Sequence, residues 1–115
     1  MKSRVKIIVF PVFCDYVVHV ELTTDVAKSL SKYPSTKGVF QETGITDAMS
    51  IHITNENFSY IFLRYNSSVG TIAHESWHVV KRMMEHVGIE LDSETVAYHL
   101  GYLVNQIFRF ARGKK

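Results

Sequence analysis

Two stretches near the C-terminus repeat their apolar residues at helical spacing. Over 69–87, Ile72, Ala73, Trp77, Val80, Met83, Met84 and Val87 share one broad face, and Thr71, His74, His78, Lys81 and Glu85 gather on the other. Ser67 or Ser68 offers an N-cap, and Gly88 followed by Ile89 reads as a helix-ending glycine with its hydrophobic contact. Over 93–111, Val96, Leu100, Leu103, Val104 and Ile107 form the apolar face, with Asp92 as N-cap. Glu94, Tyr98, Gly101, Tyr102 and Asn105 lie opposite, and the small Ala97 and Gly101 suggest close helix approach.

The front of the chain reads as strands. Residues 5–13 are mostly apolar, with Pro11 marking an edge or bend, and 16–22 alternates Tyr16, Val18, Val20 and Leu22 against Val17, His19 and Glu21. Thr23 or Thr24 can cap a short helix over 25–33 that Pro34 stops, and 35–47, with Gly38 and Gly44, reads as loop. Met49, Ile51 and Ile53 alternate with Ser50, His52 and Thr54, and Asn55-Glu56-Asn57 turns the chain into 58–65. The predicted order is β-β-α-β-β-α-α. The fold class is α+β, a small antiparallel or mixed sheet packed against the two C-terminal helices, in one domain over 1–115.

Composition narrows the classes. At 115 residues and 46% hydrophobic the chain is long enough to bury one core. No apolar run approaches the roughly 20 residues that span a bilayer. The basic, apolar N-terminus is interrupted by Lys6 and followed by no small-residue cleavage site, so a strand is expected there rather than a signal segment. The single cysteine, Cys14, allows no internal disulfide, reads as a buried small hydrophobe, and fits the cytoplasm. A net charge of +2 is too weak to point to nucleic acid. The second C-terminal helix has no arginine to address a base edge before Arg109, so neither nucleic acid nor membrane is expected as a partner.

One pentapeptide changes the picture. His74-Glu75-Ser76-Trp77-His78 is an HExxH sequence, which a shuffled chain of this composition would contain about 0.02 times. On a helix its two histidines are one turn apart and about 40° apart around the axis, close enough to bind one ion. Glu75 is about 100° from His74, poorly placed as a further ligand and well placed to reach a water on that ion. A catalytic zinc takes three protein ligands and leaves a position for water. His86 and Glu85 are too far along the same helix. Glu94, in the first turn after a short connector, can reach back, whereas Asp92 is the competitor whose better-supported work is capping. Zinc held by His74, His78 and Glu94 would activate water, with Glu75 as general base. A second oxyanion donor is expected among Tyr98, Tyr102, Tyr60, Tyr65 and His52, with Tyr98 preferred because it is one turn from Glu94.

HExxH followed by Glu94-Thr95-Val96-Ala97 resembles the HExxH plus downstream ExxA signature of gluzincin-type zincins. The block from Ala73 to Tyr102 is also similar to short metallopeptidase-like proteins of phages and mobile elements. The resemblance covers about the last third of the chain with its lead-in strand. It implies an active-site helix, a glutamate helix packed against it, one zinc ion, and a sheet whose edge strand holds an extended peptide or protein substrate. Large zincins close their cleft with a second subdomain that this length does not provide. The alternative expectation is a zincin-like binding or regulatory protein in which the metal is structural.

Overall fold

The computed structural model describes residues 2–36 and 48–113. Strands β1 (Ser3–Phe10) and β2 (Tyr16–Thr23) are joined through a 3-10 turn at Pro11–Phe13 and followed by helix α1 (Val26–Ser31). Strands β3 (Ala48–His52) and β4 (Phe58–Arg64) come next, then helices α2 (Val69–Val87) and α3 (Ser93–Ala111). This is the expected order, and both long helices have the predicted ends. The loop expected over 35–47 lies, from residue 37 on, outside the described residues.

The sheet is mixed, in the order β1-β2-β4-β3. β1 pairs antiparallel with β2, β2 parallel with β4, and β4 antiparallel with β3. After α1 the chain lays β3 at the far edge and hairpins back so that β4 fills the gap beside β2. A parallel pair needs such a crossover, whereas β3 and β4 need only a tight turn. Asn55 supplies that turn with φ 65°, a left-handed conformation asparagine tolerates better than most residues.

The two faces of the sheet bury different things. Ile8, Phe10, Tyr16, Val18, Val20, Leu22, Ile61 and Leu63 pack against α2 and α3 through Ile72, Val79, Val80, Met83, Leu103 and Ile107. On the other face Val26 and Leu30 of α1 cover Tyr60 and Phe62. Central strand β2 is therefore buried on both sides, and its alternation carries a charge inward. Glu21 is fully buried, bonded by Lys32 Nζ at 2.8 Å and by the Tyr33 hydroxyl at 2.6 Å. Burial alone would push its carboxyl up, but the bonds from Lys32, Tyr33 and Ser29 together hold it below the ordinary glutamate range.

Helix ends are capped by local chemistry. Ser68 Oγ accepts from Thr71 N–H at 3.1 Å, and Gly88, at φ 78°, ends α2 with Ile89 N–H bonded to Met84 O at 2.9 Å, the six-to-one bond of a Schellman motif. Asp92 accepts from the Thr95 N–H at 2.9 Å and the Thr95 hydroxyl at 2.8 Å.

Three expectations are corrected. Cys14 is exposed, because it and Asp15 adopt positive φ in the turn between β1 and β2, outside the core. Trp77 is 36% exposed rather than inward, and its place on the buried side of α2 is taken by Glu75, Ser76 and Val79. Ala97 and Gly101 make no tight helix contact: a Cβ built on Gly101 would meet nothing within 4 Å, and both residues line an open groove of about 530 Å³.

Candidate metal centre

Helix α2 packs beside edge strand β3, and Arg82, one turn past His78, is on the flank toward that strand. The Arg82 guanidinium donates to Ile53 O at 3.4 Å, which ties this flank to the end of β3. His74 and His78 project into solvent one turn apart, and their Nε2 atoms are 3.2 Å from each other. Two imidazole nitrogens on one tetrahedral zinc, each about 2.0–2.1 Å from it, stand about 3.3–3.4 Å apart. The pair thus has the spacing of two ligands that share an ion. Glu75 is 8% exposed, and among the described residues no hydrogen bond or ion pair joins its carboxylate.

The third ligand expected from the sequence is not brought to this pair. Glu94 is exposed in the first turn of α3, and the described residues contain no group of three or more His, Cys, Asp or Glu able to hold one metal. Past His78, α2 runs on to Val87, about 13 Å of helix, before the chain turns. Asp92 is occupied as a cap. His86 sits edge-on to Tyr16 at 6.1 Å, and His99 packs on Phe13 at 4.6 Å, its pKa lowered by burial.

Tyr98, preferred as oxyanion donor, is 71% exposed on α3 and stands with Val9, Pro11, Val12 and Tyr102 at the β1 edge of the sheet. Tyr60 is on the sheet face covered by α1, away from α2. Of the candidates, His52 is the one with an electrostatic link to the histidine pair. It is on β3, and burial, then Arg82, then His78 lower its pKa to about 4. Its Nδ1 is 2.8 Å from Ser59 Oγ, which is 2.6 Å from the Tyr16 hydroxyl. Tyr16 and Ser59 are both fully buried, and burial raises the Tyr16 pKa while the Ser59 hydrogen bond and the Arg82 charge oppose the rise.

Ser59, Tyr16 and Arg82 were not singled out from the sequence. Arg82 was findable, being four residues past His78 and so on its side of the helix. Tyr16 and Ser59 are joined to His52 only by sheet register, Ser59 directly opposite His52 across β3 and β4. No helix among the described residues is long and apolar enough to cross a membrane. No family model, curated protein or solved structure matches the chain.

Proposed function

We propose that the chain is a zinc-dependent metallopeptidase of the small gluzincin-like type, acting on an extended peptide laid along β3. The observation that carries the reading is the His74 and His78 Nε2 pair at 3.2 Å, with the largely buried Glu75 next to His74 in the same helix. The two imidazoles fit two positions of a zinc shell, and neutral imidazole is a ligand zinc accepts readily. Zinc, when bound, supplies a water of lowered pKa and polarises a carbonyl. His74 and His78 would hold it, and Glu75 would take a proton from the attacking water and return it to the leaving amine. Glu94 is assigned the third position by sequence spacing alone.

β3 ends the described sheet, with β4 as its partner strand, and an edge position of this kind suits an extended peptide that adds through main-chain hydrogen bonds. The exposure of both histidines favours a site shallow enough for a short stretch of substrate.

Glu75→Gln tests the assignment. It preserves size and fold while removing the base, so zinc content should stay at one equivalent while hydrolysis of a peptide library falls about 100-fold or more. Equal turnover would place the base elsewhere. A second reading, a metal-binding regulatory protein, draws on the large apolar groove between α2 and α3, away from the histidines; under it the wild type binds zinc and hydrolyses nothing in the library.

A further inference from the structure

Strand β1 ends the described sheet on the side away from β3. Its ladder fixes which main-chain groups are already bonded. Lys2 O accepts from Thr24 N–H at 3.0 Å, and the Val17 N–H of β2 turns the other way, to Asn57 O at 2.9 Å, so the even-numbered residues of β1 bond to β2. The N–H and C=O groups of Val5, Ile7 and Val9 therefore point off the edge, and no hydrogen bond from another described residue meets them. Their side chains are 45%, 51% and 43% exposed, on the sheet face that α1 covers only over Tyr60 and Phe62. At the end of the strand Val12, Tyr98 and Tyr102 are exposed as well, and with Phe10 they line a concavity of about 190 Å³. A long apolar edge of this kind is a template for another strand. Its two halves differ: Arg4 and Lys6 make the first half cationic, and Phe10, edge-on to Tyr102 at 5.6 Å, begins an aromatic second half.

We infer that this edge is the contact of a two-fold dimer, in which a second copy of the chain lays its own β1 antiparallel beside it. The inference is independent of the metallopeptidase reading. With the axis at Ile7, Ile7 faces Ile7 and Val5 faces Val9, all through outward main-chain groups, for about six hydrogen bonds. Arg4 and Lys6 of one copy then lie beside Phe10 and Ile8 of the other. Each guanidinium thereby reaches the rim of the tyrosine-lined concavity, where ring faces attract a cation. The cationic half of one edge is thus complementary to the aromatic half of its twin. Other registers lose this match. An axis at Lys6 sets Lys6 against itself, and one at Val5 sets Arg4 against Lys6, like charges directly opposite. An axis beyond Ile7 brings in Pro11, which has no N–H and opens the 3-10 turn. A lysine on an edge ordinarily deters pairing, but opposite Ile8 it selects the register without forbidding the contact. A contact of this size gives a weak dimer.

Sedimentation of the full chain between about 1 µM and about 200 µM should show a monomer–dimer equilibrium. Over the same range, amide exchange at Val5, Ile7 and Val9 should slow about tenfold or more, while Lys6 and Ile8, already bonded to β2, change little. Ile7→Lys puts two ammonium groups across the axis, and Ile7→Pro removes an outward N–H but none from the β1–β2 ladder. Each should weaken dimerisation about tenfold or more, with monomer stability at low concentration close to that of wild type. Tyr98→Ala should weaken it about threefold. In a Cys14→Ser background, Ile7→Cys should form a disulfide dimer on oxidation, its Cα atoms being about 5.5 Å apart across the axis. Val5→Cys should not, since its counterpart is about 13 Å away. A monomer at every concentration overturns the inference. So does a dimer that ignores both Ile7 variants and leaves the Val5, Ile7 and Val9 amides unprotected, and so does cross-linking through Val5→Cys in place of Ile7→Cys. A monomer whose edge amides are slowed instead by a synthetic strand of alternating valine and glutamate assigns the edge to a peptide partner and overturns the dimer equally.

Discussion

The two flanks of α2 are built from the same helix and do opposite things. Toward β3 it presents Arg82, one turn past His78, near the chain of hydrogen bonds that runs from His52 through Ser59 to Tyr16 in the core. Toward α3 it presents Val69 and Ala73 across an open apolar groove from Ala97, Gly101 and Val104. An open apolar groove of about 530 Å³ is thus on the flank away from Arg82. A wide apolar groove binds by area and has little power to orient, whereas a few converging polar groups with fixed proton positions can address one atom of a substrate. On the proposed reading, polar convergence rather than volume marks the site.

The largest expected effect breaks the polar flank outright. His74→Ala or His78→Ala should abolish stoichiometric zinc binding, since each removes one of the few protein ligands; full zinc in both variants would put the metal elsewhere. Glu94→Ala compared with Asp92→Ala sharpens the link between the flanks. If Glu94 completes the shell, its removal should weaken zinc far more than removal of Asp92, which should cost about 1 kcal/mol of stability as a lost cap. The reverse order in zinc titrations of the folded variants would assign the aspartate.

Acid should loosen the polar flank in a defined window. His52 titrates near 6.5 when unfolded and at about 4 when folded, so between those values the unfolded chain binds more protons. Stability of the metal-free protein should therefore fall as pH drops from about 6.5 toward about 4. His19 and His99 are lowered as well and add to the slope. Urea midpoints at several pH values should show a shallower dependence in His52→Gln than in wild type; an equal slope would mean His52 is not buried as a neutral ring. The smallest effect belongs to the apolar flank. Gly101→Ala adds a methyl that meets nothing, and should change zinc binding and turnover by less than about twofold while slightly favouring the helix.

Much of the fold was legible because its signals are local. The periodicity of 69–87 and 93–111, with Ser68, Gly88 and Asp92 at the ends, fixed both helices to the residue, since caps are read within one turn of chain. The pentapeptide gave His74, Glu75 and His78 for the same reason. What failed depended on distant partners. The outward turn of Trp77 and the openness at Gly101 are set by how far α3 lies from α2. The return of Glu94 toward His78 was argued from chain length, which permits a contact without producing it. His52 was a candidate among five, and its place on β3 with Ser59 opposite, against that of Tyr98 at the β1 edge, is set by strand register and packing rather than by local sequence.

Zinc-edge X-ray absorption on the zinc-loaded protein tests the central assignment most directly, because it counts the imidazoles on the ion. The account predicts two imidazole nitrogens at about 2.0–2.1 Å with oxygen in the remaining positions, a pattern lost in the His74→Ala, His78→Ala double variant. A sulfur ligand, which would implicate the exposed Cys14, or an imidazole signal unchanged in the double variant would contradict it.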